Sequence, residues 1–523
     1  MSLLKNVGTI GGLTMVSRVF GFARDILLAR VLGAGGVADA WQLAFQLPNI
    51  FRRLFAEGAF ASAFVPLFNR RMAKDGDLTQ ARVFAEQIMA VLIPILIVFG
   101  AIAMIAMPWI AGLFANEGIQ NQAGLFDHAV LMARVAFPYL FFMSLATLLA
   151  AILNSLSRFA AAAAAPILLN LCLITALIIG STLGDSDAAH RLTGLYMAIA
   201  VTGSGLLQLL WLGGWVMRSG FTMKLRRPRI TKQVKELGIL ILPAVFGAGV
   251  YQISRFIDLF FLSTLPDGAY TFLAMGDRLN QLPLGIIGIA LGTAILPALS
   301  RHIANEEGAS AARLQSNAVE LAMLLTVPAA AALFITGSAF TRAFYTGGAY
   351  SLSDSMATGM VVSALVIGLP AYVLIKVLVP NYFARKDTRT PVYTAAASLA
   401  LNIGLNMVLV PRFGVVGLAW AGSAAAWFNT VLLYLILVKR GHFRLPGRVF
   451  GRIFRIAIAA ALMGAALYFA MPLGAQWYTG SVTERVLSIL ALVLGGGAVY
   501  FVAAWMLGVL DPSTFQQLRK RPA

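Results

Sequence analysis

The 523-residue chain is 59% apolar and 12% charged, with mean hydropathy +0.83 and net charge +19. That composition rules out an ordinary soluble domain and places the chain among all-α polytopic membrane proteins. A basic balance of this size invites a nucleic-acid reading, but most of the charge falls in alternate loops, so no nucleic-acid partner is expected.

Fourteen transmembrane helices are predicted, at 4–32, 37–68, 83–115, 128–153, 159–183, 192–217, 234–264, 268–300, 313–343, 354–383, 389–410, 414–438, 450–472 and 484–509. The first reads as a membrane helix rather than a cleaved signal peptide, because Arg18 and Arg24 interrupt its apolar core. In the second, Asp39, Gln42, Gln46, Asn49, Arg53 and Glu57 fall within an arc of roughly 80° at 100° per residue. That polar stripe cannot face lipid. Arg30 and Arg134 are placed near helix ends, where a long side chain snorkels to the interface. The small-residue run Ala160 to Ala165 suggests close helix packing; Gly285, Gly288 and Gly292 suit either packing or bending.

Orientation follows from the basic residues. Arg70, Arg71 and Lys74 follow segment two; Arg226, Arg227 and Arg229 stand among seven basic residues after segment six; Arg519, Lys520 and Arg521 end the chain. The opposite loops hold little beyond Arg191, Arg342, Arg412 and Arg485, so both termini are expected in the cytoplasm. Cys172 is alone and reads as a small core residue. The histidines (His128, His190, His302, His442) lack metal-ligand spacing, and Asp185 and Asp187 read as a short hydrophilic loop, so neither a metal nor an organic cofactor is expected.

An internal repeat is visible. Ser17-Arg18, Leu47-Pro48 and Pro66 recur as Ser254-Arg255, Leu282-Pro283 and Pro297; Asn154 to Arg158 before Pro166 recurs as Asn381 to Arg385 before Pro391. The offsets are 225 to 237 residues. Six segments per unit make the repeat parallel, giving two six-helix halves in pseudo-twofold relation plus two extra C-terminal helices, a transporter architecture. The expected divisions are 1–218, a basic cytoplasmic linker 219–232, 233–438, and 439–523.

Arg18, Arg24, Arg52, Arg53, Arg255 and Arg278 lie within predicted spans, with Asp25, Asp39, Glu57, Asp258 and Asp277. Exposing six arginines to lipid would cost on the order of 15–20 kcal/mol, so they face water or pair with one another. Arg53 with Glu57, Arg255 with Asp258 and Arg24 with Asp25 have the spacing of local ion pairs. The arginines outnumber the carboxylates, and a surplus of guanidinium forks predicts a cavity for an anionic, phosphate-bearing substrate, with Asp39, Gln46, Asn49, Glu57, Asp25 and Asp277 as polar lining or gating groups. Asp258 and Lys376 are isolated enough to be weighed for ion coupling against simple pairing, the coupling cation being unassigned. No enzymatic constellation is present.

The runs SRVFGFARD (Ser17 to Asp25) and ADAWQLAFQLPNIFRRLFAEGAFASAFVP (Ala38 to Pro66) closely resemble the MurJ (MviN-type) lipid II flippases of the MOP transporter superfamily, and GDRLNQLPLGIIGIALGTAILP (Gly276 to Pro297) resembles that family's second-half signature. The resemblance implies a flippase moving the undecaprenyl-pyrophosphate-linked peptidoglycan precursor, lipid II, across the bacterial inner membrane. It implies functional roles for Arg18, Arg24, Arg52, Arg53, Arg278 and Asp39, and a polyprenyl-tail groove in segments 13 and 14. Many relatives are expected to carry an acid near Gln281, and Arg255 rests on the charge argument alone. Anionic phospholipids and cell-wall synthesis enzymes are the further partners, and the protein is expected to be a monomer. The competing readings are an exporter of drugs or of another lipid-linked oligosaccharide, a polyprenyl-phosphate glycosyltransferase and a non-transporting scaffold. They predict, in turn, an aromatic and acidic cavity, a large outward catalytic loop, and loss of the membrane arginines.

Overall fold

Apolar runs of this length must satisfy every backbone donor and acceptor internally, which selects helices. The computed structural model describes residues 3–55, 59–75 and 78–510. Among the described residues every regular element is helical, with one isolated bridge between Gly347 and Tyr350. It divides into two compact units, 1–271 and 272–523.

The first unit holds α1 (Leu3–Leu32), α2 (Gly36–Phe55), α3 (Ala59–Asp75), α4 (Leu78–Ile105), α5 (Met107–Phe114), the one-turn α6 (Glu117–Asn121), α7 (Leu125–Ala136), α8 (Tyr139–Ser155), α9 (Phe159–Ser181), α10 (Asp187–Arg218) and α11 (Lys232–Ser263). Its aromatic core stacks Phe60 on Phe64 and Phe64 on Phe84, each at 5.4 Å between ring centres.

Helix α12 (Ala269–Pro283) carries the chain into the second unit. There follow a π-helical turn at Leu284–Gly288, α13 (Ile289–Ala304), α14 (Gly308–Tyr345), α15 (Leu352–Val366), α16 (Leu369–Ala384), α17 (Arg389–Lys439), α18 (Gly447–Ala470) and α19 (Val482–Met506). The core of this unit joins α13, α14, α16, α18 and α19.

Nine helical stretches among the described residues are long and apolar enough to cross a membrane. Several predicted spans are broken. Segment three breaks at Ala106, before Pro108; segment four breaks at Phe137–Pro138; segment ten breaks at Ile367–Gly368, before Pro370. Proline has no N–H to donate and its ring clashes with the preceding turn, so it is tolerated at a helix start: Pro108 and Pro370 sit in the first turns of α5 and α16, and Pro138 immediately precedes α8. Predicted segments 11 and 12 run on as α17, divided only at Gly414, whose φ of 57° and ψ of −138° suit glycine. Gly285 and Gly288 lie in the π-helical turn and Gly292 follows it in α13, the kind of local widening associated with a bend.

Candidate functional site

The stripe on α2 becomes steadily wetter along the helix. Asp39 is fully buried and Gln42 is 7% exposed; Gln46, Asn49 and Arg52 are half-buried; Arg53 is exposed. Glu57, and with it the expected Arg53–Glu57 pair, lies outside the described residues.

At the dry end Asp39, expected to be a lining or gating group, is enclosed by hydrogen-bond donors. One carboxylate oxygen accepts from Asn116 Nδ2 (3.0 Å) and the Gly268 N–H (2.8 Å). The other accepts from the Thr271 N–H (3.0 Å) and the Thr271 hydroxyl (2.8 Å). Thr271 supplies a first-turn N–H of α12 that has no partner within the helix and Gly268 supplies the N–H just before it, so Asp39 caps that helix start and complements its dipole. Asn116 holds the geometry: its own Oδ1 accepts the Ile119 N–H (3.0 Å), capping α6, while its amide reaches Asp39. Nearby, Tyr270 donates to the Phe114 carbonyl (2.5 Å), and Gln122 donates to Asp267 (3.3 Å). Burial pushes the Asp267 carboxyl above the ordinary carboxylate range, the Gln122 hydrogen bond offsetting part of that rise. Gly118 is packed so closely that an added Cβ would overlap the Asp267 carboxylate.

At the wet end the side chains are more exposed. Arg52 Nε donates to Asn49 Oδ1 at 3.2 Å, and Asn49 Nδ2 donates to the Phe45 carbonyl at 3.2 Å. Arg52 and Arg53 stand about 100° apart on the helix, so a single small ligand meets them on different sides.

In α1, Arg24 and Asp25 are 7% and 3% exposed. Arg24 donates Nε and Nη2 to Asp25 (3.0 and 2.7 Å) and Nη1 to Asn170 (3.0 Å), and Asn170 donates to the Ser17 carbonyl (3.0 Å). The local ion pair weighed for these two residues therefore forms, and it is extended by an asparagine from α9. Arg18 is half-buried one face away.

Arg255 and Asp258 approach to 3.9 Å, the local i,i+3 pair. In the second unit Arg278 is exposed, and Gln281 donates to Asp277 at 3.4 Å. Lys376 lies against Gly288, where an added Cβ would come within 3.2 Å of its Nζ. Arg134 does not snorkel: it is half-buried and donates to the Met104 carbonyl (2.9 Å), a group freed where α4 ends. Among the described residues no group of three or more His, Cys, Asp and Glu side chains could hold a metal ion. The residues missed from the sequence are Asn116, Asn170 and Thr271. Each is a small polar residue whose partner lies more than 75 positions away in the chain.

Broken helices, buried charges and repeated membrane-length spans define a multi-pass helical membrane protein of transporter type. The family profile of the lipid II flippase MurJ matches residues 28–488, and the chain belongs to that family. It is 40% identical over 528 residues to a probable lipid II flippase MurJ of Rhizobium meliloti (strain 1021), covering 100% of this chain and 97% of that protein. Among solved structures, a lipid II flippase MurJ in an inward closed conformation superposes with a TM-score of 0.76 at 22% identity, covering 95% of this chain and 98% of the other. An inward-facing multidrug resistance MATE transporter of the MOP superfamily gives 0.64 at 15% identity, covering 83% and 97%. These two likenesses are of fold.

Proposed function

We propose that the chain moves lipid II from the cytoplasmic to the outer leaflet of the bacterial inner membrane by alternating access. The observation that carries the reading is the graded exposure of α2, sealed at Asp39 and open at Arg53. A binding stripe that is dry at one end and wet at the other is what a carrier presents when it is open to one side only. The wet end lies toward the basic residues Arg70 and Arg71, which the charge bias assigns to the cytoplasm, both termini being on that side. The pyrophosphate would engage Arg52, Arg53 and Arg18 first, with Arg278 assigned to the same anion by the sequence repeat and Arg255 as an auxiliary. Arg24 acts through its bonds to Asp25 and Asn170, holding α1 to α9, until a competing anion draws it away.

The capped helix start at Asp39 is the outward closure, and reopening there requires its four hydrogen bonds to be exchanged for water. The breaks at Phe137–Pro138 and Ile367–Gly368 fall at corresponding places in the two halves, which supports fourteen spans in a parallel repeat. Helices α18 and α19 carry exposed Phe454, Phe469, Phe501 and Trp505, a surface suited to a polyprenyl tail. An inside-negative potential would favour export by about 2.3 kcal/mol per negative charge per 100 mV. Coupling to a cation at Asp258 or Lys376 would add to it. The protein would work as a monomer beside cell-wall enzymes.

Depletion in the native cell, followed by a leaflet-resolved assay of the lipid-linked precursor, tests the reading. Accumulation on the cytoplasmic side supports it, and an unchanged distribution overturns it. A drug-exporting alternative has less support, since surplus arginine repels cationic drugs.

A further inference from the structure

The stretch between α10 and α11 is an extended strap, and its sequence explains why. Gly220, at φ 79°, ends α10; Pro228 disfavours helical backbone at Arg227; and Thr231 caps α11 by accepting the Val234 N–H. The strap is pinned to the protein along its length. Phe221 is fully buried against Phe68, at 5.7 Å between ring centres. Glu86 of α4, 2% exposed, accepts the Lys224 N–H (2.8 Å) and Arg226 Nε (2.5 Å). Thr231 contacts Gln87 at 3.0 Å. A carboxylate is buried at a cost that only good partners offset, and this one is used to hold a surface segment flat.

With Arg226 neutralised by Glu86, the strap still presents exposed Lys224, Arg227, Arg229 and Lys232, and no acid occurs between Arg218 and Lys235. Two apolar side chains interrupt the charges, Leu225 at 74% and Ile230 at 83% exposed. The flanking helices give the depth. The exposed apolar surface of α10 runs to Met217, and that of α11 resumes at Ile239 and Leu240, so the strap sits where hydrocarbon gives way to headgroups.

We propose that residues 221–232 form a docking surface for anionic phospholipid headgroups, with Leu225 and Ile230 inserted between them and Glu86 as the positioning residue that holds the strap in the interface. The charge and the paired apolar side chains suit a lipid surface; a polar partner would leave both apolar groups in water. The proposal is independent of what the protein transports.

The test uses the full chain with Cys172→Ser and a fluorophore at Leu225→Cys, reconstituted with lipids brominated near the headgroup. Quenching should be roughly twofold stronger in vesicles containing phosphatidylglycerol than in pure phosphatidylcholine, and should fall to the neutral value in high salt. The joint variant Lys224→Gln, Arg227→Gln, Arg229→Gln, which leaves the Glu86 clamp in place, should abolish the difference. A probe at Ile230→Cys should report the same. Equal quenching in both vesicle types, or a probe quenched only by aqueous iodide, overturns the proposal.

Discussion

The two ends of α2 solve opposite problems with the same class of residue. At Asp39 a buried carboxylate is matched by four donors, whereas Arg52 is half-buried and Arg53 exposed, so their guanidinium groups are within reach of water. The difference teaches where rigidity belongs in a carrier. A satisfied buried polar cluster favours one fixed arrangement, whereas an exposed charge can meet a ligand.

The largest effect should come from breaking the satisfied end. Asp39→Ala strands buried donors of Gly268 and Thr271 and should cost about 3 kcal/mol or more, seen as a lowered melting temperature together with lost flipping. Full retention of both would remove the closure. Arg52→Ala with Arg53→Ala should leave stability nearly unchanged while weakening binding of a soluble pyrophosphate analogue by about 10–100-fold; a loss of stability without a loss of affinity would reverse the comparison. Asn116→Ala should cost about 1–3 kcal/mol and raise the reactivity of a cysteine placed at Gly268 toward an impermeant outside reagent, because α6 and Asp39 both lose a partner. An unreactive cysteine would show that Asp39 holds the closure without Asn116.

The smallest effect concerns Asp387, in the turn before α17. Its desolvation is outweighed by the Thr390 hydroxyl and N–H and by Arg440, at 2.6 Å, which bring the carboxyl down to about 2. A depressed carboxyl stabilises the folded state above the ordinary aspartate range, and that contribution is lost as pH falls through about 2. Asp387→Asn should therefore lower the melting temperature by about 1–3 °C at neutral pH, with the gap to the parent closing in acid.

The stripe on α2 was legible because helical arithmetic alone places Asp39, Gln42, Gln46 and Asn49 on one face. The Arg24–Asp25 and Arg255–Asp258 pairs were legible for the same local reason. Asn116 and Asn170 were not, because a single amide in an apolar or loop stretch carries no periodic signal and gains its meaning from a partner across the fold. Hydropathy also joined α7 to α8 and α15 to α16, since it measures apolar length and is blind to a missing N–H at Pro138 or Pro370. Hydropathy is equally blind to the four donors that surround Asp39, since they come from distant parts of the chain.

At the C-terminal end, Arg452 of α18 is held by Glu320 of α14 (3.0 Å) and donates to the Val509 carbonyl (2.6 Å), and Arg455 donates to the carbonyls of Leu507 and Gly508 just past α19. At the opposite end Arg342 of α14 donates to Ala475 (3.1 Å), and Arg485 of α19 donates to Thr346 (2.6 Å). Helices α14, α18 and α19 are thus stitched at both ends, like a plank nailed at each edge. Spin labels on α14 and α18 should keep one fixed separation through the whole working cycle, so any wall these helices form would travel as a single stiff panel.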